Sequence, residues 1–240
     1  SCLIDLQAEQ PQLGSPFRIF AVWSLTYLFA NVCGSVVIST LGYGAVEVVP
    51  TWVLALSALT LWGPFVGVLL WTSKHRGSGN VVQDFSLTFQ AKDLWGVPLG
   101  IACQLLLVVL VTLPFQWLFP SLFNSEAVEK RANDLFDAAQ GAWIVLLVVI
   151  VVICAPLVEE IVYRGFIQHN LGVAYGARIS VLLASFWFAA VHLQVAEFPG
   201  LFAFALVLGA CFSRTKRLGL SIVTHISFNA SALTVMALTR

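Results

Sequence analysis

The sequence predicts an all-α fold, a polytopic transmembrane helical bundle of about seven spans. Three observations predict it. Of 240 residues, 59% are hydrophobic and only 10% charged, where a soluble globular domain carries about 25% charged residues. Mean hydropathy is +0.91. Uncharged stretches of about 20 residues, enough to cross a bilayer's hydrocarbon core, recur along the chain between short polar connectors. The formal net charge is zero, so the basic footprint of a nucleic-acid binder is missing. Four of the five cysteines (Cys33, Cys103, Cys154, Cys211) fall in apolar segments, where they serve as small hydrophobes. With no CxxC pair, neither a disulfide framework nor a zinc ribbon is supported.

The elements follow in order. Residues 1–16 form a polar N-terminal segment without a cleavable signal pattern. The chain starts at Ser1, so an eighth span is expected if the N-terminus is trimmed. Three N-terminal spans occupy 17–119: Phe17 to Leu41, Val48 to Ser73, and Leu94 to Phe119. Pro98 and Pro114 are expected to kink the third. A polar connector from Lys74 to Asp93 separates the second span from the third.

The stretch 120–141 reads as an amphipathic extramembrane connector. Acids and bases at Glu126, Glu129, Lys130, Arg131, Asp134 and Asp137 alternate at helical spacing with Val128, Ala132, Leu135, Phe136 and Ala139. A surface helix near 125–140 is expected, with Ser125 as its N-cap.

The fourth span begins at Ala142, carries Glu159, Glu160 and Arg164, and runs to about Leu171, where Gly172 ends it. The fifth covers Ser180 to about Ala196 and contains His192. Pro199 suits the first turn of a sixth helix, Phe198 to Ser213. The seventh runs from Leu218 to Thr239 with His225 and Asn229. Seven spans alternate sides. With the Lys74 connector in the cytoplasm, Arg18, Lys74, Arg76, Lys92, Arg178, Arg214, Lys216 and Arg217 fall inside, and only Lys130, Arg131 and Arg240 outside. The positive-inside rule therefore puts the N-terminus in the cytoplasm.

Within the spans, Glu159, Glu160, Arg164, His192 and His225 stand out. Ionisable groups at membrane depth are costly and are functional candidates by default. Glu160 and Arg164 are one turn apart with the acid N-terminal, the better order for an ion pair. Glu159 is turned about 100° away and left free for chemistry. At about 1.5 Å per residue, Glu159 and His192 lie roughly 18 Å, and His225 roughly 10 Å, from the ends of their helices. These depths overlap. Tyr163 shares the Glu159 face, Phe188 precedes His192 by one turn, and Asn229 follows His225 by one. A carboxylate, two imidazoles and a carboxamide converging in a partly dry cavity form a general acid–base set.

The same residues match a family. Glu159-Glu160-Ile-Val-Tyr-Arg164 fits EExxxR, Phe188-Ala-Ala-Val-His192 fits FxxxH, and His225-Ile-Ser-Phe-Asn229 fits HxxxN. In this order on successive apolar segments, they resemble the CAAX protease and bacteriocin-processing family of intramembrane endopeptidases. The chain is similar in particular to its type II CAAX prenyl endopeptidases. The likeness covers about Ala142 to Leu238, so 142–240 is the expected catalytic core.

The resemblance implies a cavity open to the cytosol, within which a peptide bond near the C-terminus of a prenylated or other hydrophobic substrate is hydrolysed. It implies Glu159 as the base that activates water, helped by His192, with His225 and Asn229 stabilising the oxyanion. Glu160 and Arg164 would fix the helix geometry. A peptide or lipidated protein and membrane lipid are the expected partners. The family was first described as metalloproteases, yet its structurally studied members imply a metal-free glutamate mechanism. The residues themselves leave zinc open, with Glu159, His192 and His225 as three ligands and water as the fourth.

Other readings stand beside this one. Intramembrane Glu and His also line proton-coupled transport pathways, and the family fold also occurs in non-catalytic bacteriocin immunity. Asn229 is open to a second role as helix–helix glue.

Overall fold

The computed structural model describes residues 15–44, 49–123 and 133–239. The segment 1–14 lies outside that range, as does the first half of the expected surface helix, with Ser125. Of its described half, residues 133–138 are helical, and Ala138 O accepts the Thr51 hydroxyl at 2.8 Å.

Helices α1 (Pro16–Thr40) and α2 (Thr51–Arg76) form an antiparallel pair. Trp23 lies 6.1 Å from Phe65 near one end, and Gly34 faces Thr60 toward the other. Each begins beside a proline, whose fixed φ and missing N–H suit a helix start. Large apolar side chains such as Phe17, Leu25, Phe29, Leu59 and Leu70 point outward. In water they would be an aggregation surface; against lipid tails they are the ordinary exterior of a spanning helix.

The third helix, α3 (Ala91–Leu118), opens with one tight 3₁₀ turn closed by a Gln90–Asp93 capping box. Pro98 falls in the first α-helical turn after it, where a missing N–H is tolerated, while Pro114 lies inside the helix. Gly96 and Gly100 sit one turn apart and let the last helix approach closely. A Cβ on Gly100 would stand 2.3 Å from Thr224 O, and one on Gly96 2.7 Å from Thr224 N. This is a small-xxx-small crossing, in which missing side chains bring two backbones together.

The helical tract Trp143–Ala190 is 48 residues long. Drawn straight, it would extend roughly 72 Å, more than twice a bilayer core of about 30 Å. Instead it breaks at Gly176, with φ 79° and ψ 167°, a conformation that favours glycine. The chain reverses there: the Phe188 ring lies 4.7 Å from Arg164 Cζ, 24 residues away in sequence. The two arms are α4 (143–175) and α5 (177–190), the second about 21 Å long; the described residues thus hold six helical tracts long and apolar enough to cross a membrane, one of them folded into two arms.

Two expectations about these arms are corrected. The fourth span continues past Gly172 to the turn at Gly176. The fifth stops at Ala190, so His192 stands on the turn beyond the helix rather than inside a span reaching Ala196. Leu193 adopts φ 54° there, and the chain redirects into α6 (Phe198–Thr215), with Pro199 in its first turn.

The last helix, α7 (Gly219–Leu238), is fixed at its start. Ser86 O accepts Leu218 N at 2.9 Å, and Thr88 O accepts Gly219 N at 3.2 Å. Arg217 forms a buried two-pronged ion pair with Asp93, using Nη2 and Nε. The connector between α2 and α3 is thereby stitched to the start of α7.

Three apolar clusters result among the described residues. One joins α1, α2, α4 and α5 through Ile19, Trp23, Leu69, Tyr163, Ile167 and Phe188. A second joins α3, α6 and α7 through Cys103, Phe204, Leu208 and Phe228. A third sets Phe212 of α6 against Leu218 and Ile222 at the start of α7, with Leu157 and Ile161 of α4 packed on it. The Glu159–Arg164 turn of α4 contributes Val162 and Tyr163 to the first.

Candidate active site

The site begins with a run of α4 that is not uniformly α-helical. Residues 149–154 and 161–168 are wound as π-helix, on either side of the α-helical turn Ala155–Glu160. Such wider turns shift side chains around the helix axis and recur at functional sites. Here they set where the two adjacent glutamates point.

Glu160 points inward and is fully buried. Its Oε1 accepts Arg164 Nη1 at 2.8 Å. Arg164, itself buried, also donates Nη2 to Ala205 O at 3.2 Å, and its guanidinium lies against the Phe188 face. His225 Nδ1 is 2.9 Å from the same Glu160 Oε1. A carboxylate can only accept, so Nδ1 carries the proton and donates. A buried ion pair persists only when such further bonds satisfy it. The pair expected at i, i+4 is therefore present, and it holds His225 as well.

Glu159 points elsewhere. Its side chain is 24% exposed, and Oε2 lies 3.7 Å from His225 Nε2. It faces a cavity of about 180 Å³ that is also lined by His192 and Tyr163, room for several waters at about 30 Å³ each. His192 Nδ1 lies 2.7 Å from Phe188 O. A carbonyl accepts only, so Nδ1 donates; in the neutral ring this tautomer leaves the lone pair on Nε2.

Phe188 organises the set from behind, 4.8 Å from the His192 ring, 5.8 Å from His225 and 5.2 Å from Tyr163. Asn229 is placed differently. Its Nδ2 donates to Val151 O at 2.8 Å, across to the first π-wound turn of α4. Neither Asn229 nor His225 is part of the cavity lining. The structure thus gathers Glu159, His192 and Tyr163 at one cavity, sets His225 between the two glutamates, and ties Asn229 to α4. Among the described residues, no three His, Cys, Asp or Glu side chains cluster so as to hold a metal ion.

Sequence reasoning missed the far wall of the cavity. Tyr27 and Asn31 of α1 and Leu61, Trp62 and Phe65 of α2 form it. One signal was available: Tyr27 and Asn31 are a turn apart, and Asn31 is the one carboxamide side chain in Pro16–Thr40.

Residues 141–231 match the family model described as type II CAAX prenyl endopeptidase Rce1-like. No curated protein and no solved structure matches the chain.

Proposed function

We propose, from the match of residues 141–231 to the type II CAAX prenyl endopeptidase Rce1-like family, that the protein is a membrane-embedded endopeptidase of the CAAX protease and bacteriocin-processing family. It hydrolyses a peptide bond near the C-terminus of a prenylated or otherwise hydrophobic substrate. The observation that carries the reading is the unequal treatment of two neighbouring carboxylates. Glu160 is fully buried and bonded to Arg164 and His225, while Glu159 keeps a face on the cavity that His192 shares. One acid is structural and the other is left for chemistry.

In this mechanism a water in the cavity bonds to Glu159 and to His192 Nε2. Glu159 takes one proton as the oxygen adds to the scissile carbonyl. The oxyanion of the tetrahedral intermediate is met by His225, whose Nδ1–H stays on Glu160. This role requires the imidazolium, with Nε2–H turned to the oxyanion. Asn229 contributes its second N–H, the first being donated to Val151 O. One such donor lowers a barrier by about 3–4 kcal/mol. Glu159 then returns the proton to the leaving amine, and the C–N bond breaks.

This route needs no metal. A zinc ion on Glu159, His192 and His225 would supply the alternative chemistry, a Lewis acid for the water, although among the described residues these three do not cluster as a metal site. The N-terminus and the basic face carrying Arg18, Lys74 and Arg76 are assigned to the cytoplasm, with the cavity opening on that side.

The test uses purified protein in detergent, a prenylated C-terminal peptide and an unmodified one, with and without a chelator. Cleavage is expected with chelator present and is expected to vanish in Glu159→Gln. Undiminished cleavage by Glu159→Gln would sink the mechanism. Loss on chelation with recovery on added zinc would replace it by the metal route.

A further inference from the structure

The cavity wall formed by α1 lies outside the family-matched segment, and it is not uniformly apolar. Tyr27 and Asn31 both face the cavity. They stand roughly 14 and 20 Å beyond Arg18 at about 1.5 Å per residue, well inside hydrocarbon depth. A carboxamide there is costly unless its polar atoms find partners. Asn31 Nδ2 donates one N–H to Tyr27 O at 2.8 Å, which fixes the plane of the amide. That leaves a second N–H and the Oδ1 acceptor.

Tyr27 is held in a complementary way. Its ring stacks on Trp23 at 4.9 Å with an interplanar angle of 11°. Its hydroxyl makes one long bond, 3.4 Å to Val191 O, in the residue before His192. The hydroxyl is therefore lightly committed and close to the catalytic turn. Leu61, Phe65, Val158 and Val162 on the other walls offer no hydrogen-bonding side chain.

A peptide entering this cavity leaves water, and each of its backbone N–H and C=O groups then needs a partner. With one N–H donated to Tyr27 O, the Asn31 carboxamide keeps one donor and one acceptor. These match one backbone C=O and one backbone N–H, which in a trans chain come from successive peptide groups. We propose that Asn31 binds the substrate main chain beside the scissile bond, pairing with a backbone N–H and C=O, and that the Tyr27 hydroxyl adds a weaker contact. The inference rests on the endopeptidase reading. It deepens that reading by assigning a substrate-binding role to α1, with the apolar walls taking side chains and Asn31 fixing the backbone register.

The test is a set of peptide substrates in which one backbone N–H at a time, on either side of the scissile bond, is replaced by an ester oxygen. For the unaltered protein, one ester is expected to lose roughly tenfold in kcat/KM, mainly through KM, the worth of one hydrogen bond. Asn31→Leu is expected to lose about the same factor on the all-amide peptide and to be indifferent to that ester. Asn31→Ala should behave alike, and Tyr27→Phe should lose roughly threefold. Equal KM for Asn31→Leu, Asn31→Ala and the unaltered protein overturns the proposal, as does an unchanged penalty for every ester.

Anisotropy of the same peptides, labelled and bound to Glu159→Gln, makes the comparison without turnover. A protein that binds with the Asn31-dependent ester pattern but never cuts overturns the endopeptidase reading and upholds Asn31. Binding without that pattern overturns Asn31, and no binding overturns both.

Discussion

His225 Nδ1 lies 2.9 Å from Glu160 Oε1, the same oxygen that Arg164 Nη1 reaches at 2.8 Å. One buried carboxylate oxygen thus binds a cation from its own helix and an imidazole from α7. The preceding residue, Glu159, is 3.7 Å from the other nitrogen of that imidazole and faces the cavity. Two residues that adjoin in sequence are thus placed differently, one buried and paired, the other facing the cavity.

This division predicts opposite phenotypes. Arg164→Met removes the partner of a fully buried acid and is expected to cost roughly 3–5 kcal/mol of stability. Glu159→Gln keeps shape and a partly exposed polar group, so its stability should stay within about 0.5 kcal/mol of the parent while activity is lost. Thermal melts in detergent beside peptide cleavage check both. A melting point unchanged by Arg164→Met would contradict the assignment.

The crossing of α3 and α7 predicts a second contrast. A Cβ on Gly100 would meet Thr224 O at 2.3 Å and Phe228 N at 2.8 Å, both backbone atoms that flank His225 in sequence. Gly100→Ala must push α7 away. A loss of about 1–3 kcal/mol is expected, with a fall in kcat as His225 shifts from Glu160. Gly63 of α2 has nothing within 4 Å of its Cβ position, so Gly63→Ala should be neutral or stabilise by up to about 1 kcal/mol. Melting points and kcat for the two variants decide it.

The spans and the three motifs were legible because lipid demands long uncharged runs, against which Glu159, Glu160, Arg164, His192 and His225 stand out. The Glu160–Arg164 pair followed from helical spacing alone. What escaped was rotational. On a helix such as α1, apolar residues face both lipid and protein, so periodicity did not show that Tyr27 and Asn31 look into the site. Local π-winding was equally hidden, since nothing in 149–168 marks a wider turn. His192 was placed inside a helix because its neighbours are apolar. The chain leaves the helix before it, with Leu193 at positive φ, as it turns into α6.

Outside the membrane, the Val81–Asp84 turn carries a pH-dependent contribution. Burial alone would push the Asp84 carboxyl up, but hydrogen bonds from Ser73 Oγ and from Ser78 N and Oγ outweigh it and hold the carboxyl below the usual aspartate value. A carboxyl lowered on folding stabilises the protein above its unfolded-state pKa of about 3.9, and that contribution is lost as pH falls through the folded value. Asp84→Asn should therefore melt lower than the parent at neutral pH, with the gap narrowing below about pH 4. A gap independent of pH from 7 down to 3 would contradict the assignment.

The Arg217–Asp93 pair predicts coupling between a connector and the site. Asp93 belongs to the turn that opens α3, Arg217 precedes α7, and a Cβ on Gly219 would lie 2.3 Å from Asp93 Oδ2. Two backbone segments, the turn that opens α3 and residues 217–219 at the start of α7, therefore converge on one carboxylate. Arg217→Leu strands that buried acid and is expected to cost roughly 3–5 kcal/mol, and Asp93→Leu should cost a similar amount by stranding the guanidinium. The double variant carries no unpaired charge and should recover much of the loss, giving a coupling of up to about 3 kcal/mol. Activity should follow the same order, because the start of α7 sets where His225 meets Glu160. Single losses that simply add in the double variant would show the two side chains acting independently, and α7 would then owe its position to the glycine crossing with α3.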